Sequence, residues 1–198
     1  MRSATAMEQI PSVLLGTAIA AIATIVGWFV NDRLHHRRSQ REATIRKIDT
    51  EIEQLFGPLA GRLQHTQHIY RVALAILPCT SPQLSEAKRI DFPRFSEKDW
   101  DIWRFLNERY FHPINLEIRN LLSNKSHLIG NNLSEAEIDQ FVLHTSHVEA
   151  RYVLWKEKGI DTSALPAPGY SIGLLQEANA ALRRLLLKRD SHLRYLGK

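Results

Sequence analysis

The 198-residue sequence predicts an all-α protein: a single N-terminal transmembrane helix, then a stalk and a cytoplasmic helical bundle of about five helices. Three observations carry this. Residues 10–30, IPSVLLGTAIAAIATIVGWFV, hold no charged side chain. Arginines follow at once, in NDRLHHRRSQR. From there to the C-terminus apolar residues recur at spacings of three and four, with none of the sustained alternation that marks strands.

A helix rises about 1.5 Å per residue, so residues 10–30 reach about 30 Å, the thickness of a bilayer's hydrocarbon core. Ala18-Ile19-Ala20 and Ala21-Ile22-Ala23 have the small-x-small form of a signal cleavage site, yet the apolar run continues past both. A buried core helix would show a polar stripe, and none interrupts the run. Residues 1–9 offer Arg2 against Glu8, whereas Arg33, Arg37, Arg38, Arg41, Arg46 and Lys47 crowd the other flank. Basic residues stay inside, so the N-terminus is expected outside and residues 31–198 in the cytoplasm. Trp28 and Phe29 fall where aromatic rings favour the interface. Arg33, Arg37, Arg38 and Arg41 would meet anionic headgroups, at about 1 kcal/mol per charge. Within the span, Gly16, Ala20, Ala23 and Gly27 form a seam of small residues, with Thr17 and Thr24 beside it. Close backbone approach at such residues drives helix association in lipid, so the seam predicts a homo-oligomer.

Charge and cysteine content narrow the alternatives. The net charge is +5 and, since Arg2 and Glu8 cancel, it all lies beyond the apolar run. That excess is moderate, and membrane proximity explains it more simply than nucleic-acid binding does. A single cysteine, Cys79, permits neither an intramolecular disulfide nor a CxxC metal site, and suits a reducing compartment.

The elements follow in order. Ile45, Ile48, Ile52, Leu55 and Leu59 step by three and four, which continues the span as a basic stalk over 31–56. Gly57-Pro58 interrupts it, because proline lacks an amide donor and clashes with the preceding turn, so a kink, a hinge or a fresh helix start is expected there. The bundle then occupies 57–198. Its first helix runs from Leu59 to Leu77. Residues 78–95 carry three prolines and no period and read as a long loop. Ser96 to Asp99 resembles a capping box opening a helix with Trp100, Trp103, Leu106 and Tyr110 on one side. His112-Pro113 breaks that helix and starts the next, which runs to Ile129 before Gly130. Ser134 and Glu137 form a second capping box, for a helix bearing Ile138, Phe141, Val142, Val148, Tyr152 and Trp155 and ending near Gly159. The last helix starts near Tyr170 and carries Leu175, Ala178, Leu182, Leu185, Leu193 and Leu196.

The least ordinary composition lies in NLEIRNLLSNKSHLI, residues 115–129. Glu117, Asn120, Asn124 and His127, spaced three, four and three, share a helical face. Asn and His are mediocre helix formers, and a merely solvated face is more easily built from Glu, Lys and Gln. The stripe is therefore the candidate surface for a small polar ligand, a buried hydrogen-bond network between helices, or a partner such as a cytoplasmic protein, with a solvated face as the plain alternative. His65-x-x-His68 and His144-x-x-His147 each place two imidazoles on one face, but helical metal sites use Glu-x-x-His pairs and none occurs, so no metal is assigned. Phosphate-binding, dinucleotide and nucleophile-elbow motifs are missing, Glu108 and Glu117 lack a defined geometry as a carboxylate pair, and no catalytic residue or cofactor is assigned.

EQLFGPLAGRL (residues 53–63), NLEIRNLLSNKSHLI and the Phe141 to Trp155 helix together resemble a family of small, uncharacterised bacterial membrane proteins with one N-terminal span and an all-helical cytoplasmic domain. The resemblance implies the same topology and a bacterial inner membrane, and it brings no activity. The expected function is a non-enzymatic, oligomeric membrane protein whose helical domain senses a ligand or partner and couples it to the span, as stress or defence effectors do. The alternatives are a passive anchor or scaffold and a membrane-tethered enzyme.

Overall fold

A computed structural model describes the backbone of residues 5–80, 89–160 and 170–196, and the side chains of these except residues 5–20, Thr80 and Leu196. The fold is mainly helical, as the periodicity requires. Its elements are α1 (Thr5–Glu51), α2 (Gly57–Ile76), α3 (Glu97–Leu106), α4 (His112–Asn124), α5 (Glu135–Lys158) and α6 (Ile172–Leu196), with a two-residue antiparallel ladder between β1 (Cys79–Thr80) and β2 (Arg89–Ile90). The chain divides into two compact units, Met1–Lys47 with Asp190–Lys198, and Ile48–Arg189.

In the first unit α1 carries the apolar run. Residues 21–40 are all exposed, among them Ile22, Ile25, Val26 and Val30, and Trp28 and Phe29 are each 66% exposed. Among the described residues, no helix is long and apolar enough to cross a membrane. Side chains 10–20, about half of the expected span and including Gly16, Thr17 and Ala20 of its seam, lie outside the described residues, as do residues 1–4. Ala23 is exposed, and nothing approaches the Cβ position of Gly27 within 4 Å. Arg33, Arg37 and Arg38 are exposed. Arg38 pairs with Glu42 one turn on, and Arg41 donates to the Tyr195 carbonyl while lying over its ring.

The second unit holds two apolar cores. The larger joins Ile48, Leu55, Phe56, Leu59 and Leu63 to Ile118 and Leu122 of α4, Phe141 of α5, and Leu174, Ala178 and Ala181 of α6. The helical spacing of these residues puts them on the inward faces. Ile48, Leu55 and Phe56, within the segment expected as stalk, thus belong to this core. The smaller core, Ala73, Leu77, Ile90, Leu106 and Phe111, seals the other end of α2 against α3. Phe92 and Phe95 lie against Trp100 beside it, which orders part of the segment expected as loop.

Both expected proline breaks take one form. A π-turn over Ile52–Phe56 precedes Gly57-Pro58, and a π-turn over Asn107–Phe111 precedes His112-Pro113. In each the residue before proline stays helical and donates five residues back, Gly57 to Ile52 and His112 to Asn107. The wider turn moves the preceding carbonyls away from a ring that would otherwise collide with the carbonyl four residues earlier. The matching sequences, Phe56-Gly57-Pro58-Leu59 and Phe111-His112-Pro113-Ile114, each bury the phenylalanine and the residue after proline.

Two expected caps differ in outcome. Ser96 and Asp99 form the capping box, each side chain bonding the other's amide. Ser134 makes no side-chain cap. Its amide instead donates to Glu177 of α6, while Glu137 of α5 accepts from the Ser171 hydroxyl, which also caps α6 through the Leu174 amide. The two helices close each other's ends because Glu137, which local spacing assigns to the start of α5, bonds Ser171, while Glu177 of α6 takes the Ser134 amide. Helix α4 is also shorter than expected, ending at Asn124, with a 3-10 turn over Ser126–Leu128 before Gly130.

Candidate functional site

Helix α4 presents three surfaces. Ile114, Ile118 and Leu122 point into the larger core. Arg119 reaches across to an ion pair with Glu149 of α5. Glu117, Asn120 and Asn124 point outward, where they line a shallow groove of about 230 Å³ with Leu121, Lys125 and Arg62 of α2. The proposed stripe is thus exposed along its whole length. The structure brings three of its four residues to this groove and leaves His127 on the following 3-10 turn, outside the lining.

The groove is built by ordinary helical periodicity on α4 and by cationic residues that the stripe alone did not reveal. Arg62 Nε donates to Glu117 Oε2 at 2.6 Å, and one of its other nitrogens reaches the Pro58 carbonyl at 3.4 Å. Gly57 and Pro58 therefore stand at the packed joint that leads into this wall rather than in the groove. Lys125 Nζ donates to Gln54 Oε1 at 3.0 Å, and no described carboxylate pairs with it. The amides of Asn120 and Asn124 have no partner among the described residues. Each amide carries two donors and an acceptor, so the groove offers unspent hydrogen-bonding capacity beside an uncompensated cation.

A second polar cluster lay outside the sequence reading. Tyr152 Oη and Lys156 Nζ both donate to Glu108 Oε1, at 2.9 and 2.7 Å, with 2.7 Å between Lys156 Nζ and Tyr152 Oη, and His112 stacks on the Tyr152 ring. The hydrogen bond from Lys156, then that from Tyr152, holds the Glu108 carboxyl below its usual range, and the same carboxylate raises Lys156. Both groups stay charged across neutral pH, and neither is poised to exchange a proton there. Glu108 and Glu117 therefore bond separate cations instead of one another. The only sequence signal for this cluster was the one-turn spacing of Tyr152 and Lys156; Glu108 comes from another helix.

The histidine pairs differ in exposure, His144 and His147 being half-buried. His65 and His68 are exposed, while His144 meets the Tyr170 ring edge-on at 5.3 Å. Among the described residues, no group of three His, Cys, Asp or Glu is placed to hold a metal ion. Burial pushes the Tyr170 hydroxyl up to about 12, since the ionised form would lose its water. No known protein family, curated protein or solved structure matches the chain.

Proposed function

We propose that this chain is a non-enzymatic, oligomeric membrane protein. Residues 10–30 span a bacterial inner membrane with the N-terminus outside, and the helical unit Ile48–Arg189 binds a cytoplasmic partner or ligand at the α2–α4 groove. The observation that carries the reading is the exposure of every residue from 21 to 30 on a continuous helix, with arginines following directly. Apolar surface of this extent, without a protein partner, needs a lipid or protein environment. The groove supports the binding half, because its two amides are exposed and without partners among the described residues and Lys125 meets only the neutral oxygen of Gln54. Binding is coupled to the span through the joint at Gly57 and Pro58, where the π-turn interrupts the regular helical hydrogen bonding.

Two measurements on isolated membranes test this. The protein should stay in the pellet after alkaline carbonate extraction, and cross-linking should trap oligomers that Gly16→Leu with Gly27→Leu weakens. Release into the supernatant would reject the span. A monomer unaffected by the double substitution would reject the oligomer.

A further inference from the structure

The size of the α2–α4 groove decides what kind of molecule it takes. Pockets that bury a small ligand usually enclose about 300–1,000 Å³. At about 230 Å³ and open along one side, this groove is too small to enclose such a ligand, but it can cradle part of a longer chain lying across it.

The spacing of its polar groups narrows the occupant further. Asn120 and Asn124 stand four residues apart on α4, a rise of about 6 Å. Alternate residues of an extended peptide repeat at about 6.7 Å. A carboxamide can donate to one peptide carbonyl and accept from an amide N–H, so two of them at this spacing match successive outward-facing peptide groups of one strand. Leu121 adds apolar lining beside them. Beside Asn124, Lys125 is held only by the neutral oxygen of Gln54, which leaves its charge uncompensated. At the opposite wall Arg62 is already neutralised by Glu117. The groove therefore has one free cation among the described residues that line it.

We propose that the groove binds an extended peptide segment of a partner protein, its backbone hydrogen-bonded to the Asn120 and Asn124 amides and a carboxylate seated on Lys125. This rests on the groove being the binding surface, and it selects a polypeptide over a small polar ligand. The carboxylate comes from an Asp or Glu side chain or from a free C-terminus.

The test is selection of a displayed octapeptide library on the full-length protein in detergent micelles. Selected peptides are then resynthesised and measured by fluorescence anisotropy. Wild type should enrich carboxylate-bearing peptides. Their affinity should fall about tenfold or more with Asn120→Ala plus Asn124→Ala, with Lys125→Gln, and with N-methylation of the peptide backbone. Synthesis as C-terminal amides, and replacement of Asp and Glu by Asn and Gln, shows which carboxylate binds. The Asn substitutions lie on an exposed helix face and raise helix propensity, so the fold survives, and circular dichroism checks it. Three results would each overturn the proposal: no enrichment over the Asn120→Ala, Asn124→Ala, Lys125→Gln variant, affinities unchanged by these substitutions, or free glutamate binding as tightly as the peptides. Carbonate extraction and cross-linking read out the span and the oligomer separately, so failure here is distinguishable from failure there.

Discussion

Two glycines of α2, four residues apart, show how far a single hydrogen atom's worth of space can matter. A Cβ on Gly57 would stand 2.8 Å from the Ile52 carbonyl oxygen, a backbone atom fixed by the π-turn that accepts from Gly57 itself. A Cβ on Gly61 meets nothing within 4 Å. The same substitution should therefore have opposite signs. Gly57→Ala is expected to destabilise by about 1–3 kcal/mol through overpacking of a buried turn. Gly61→Ala, at an exposed interior helix position, should stabilise by about 0.5–1 kcal/mol. Denaturant unfolding of both variants checks the pair; equal effects would show that the π-turn is not held by that close approach.

At the scale of elements, stability lies in how helix ends are closed. The exchanged caps of α5 and α6 predict that Ser171→Ala costs about 1–2 kcal/mol, since it removes both the α6 cap and the hydroxyl donated to Glu137. A double-mutant cycle with Glu137→Gln should return a coupling of about 0.5–3 kcal/mol. A near-zero coupling would leave the two caps independent. The α3 cap has a pH signature. The Ser96 hydroxyl, followed by its amide, holds Asp99 below its usual 3.8. A depressed carboxyl stabilises the folded state above the unfolded value, and that stabilisation is lost as pH falls from 3.8 through the lower folded value. NMR titration should show the Asp99 amide shifting only in that acid window, and Asp99→Asn should abolish the shift. For Lys156 the sign reverses: its raised value stabilises below 10.5 and the effect fades as pH climbs beyond it.

For the whole molecule the decisive property is topology. In a Cys79→Ser background, Ser146→Cys places a thiol at an exposed position on α5. A membrane-impermeant maleimide should leave it unlabelled in intact cells and label it after permeabilisation. On the proposed topology, replacing Arg33, Arg37, Arg38 and Arg41 with Glu removes the orienting bias and should expose a fraction of that thiol outside. Labelling of the parent chain in intact cells would place residues 31–198 on the other side.

The helical class, the helix start at Glu97, the irregularity at Gly57-Pro58, the apolar spacing that carries Leu59 and Phe141, and the shared face of Glu117, Asn120 and Asn124 all follow from the sequence. Each depends on contacts within a few residues, where the 3.6-residue period and proline's missing donor act directly. Tertiary structure alone decided that Glu137 and Glu177 exchange partners between α5 and α6, that prolines 58 and 113 are absorbed by π-turns, that His127 stands apart from its stripe, and that Arg62 and Lys125 complete a groove around the two asparagines. The exchanged caps and the arrival of Arg62 depend on which helix lies beside which, and spacing along one helix carries no information about the side chains arriving from another; the π-turns and the 3-10 turn are backbone choices that side-chain periodicity does not record.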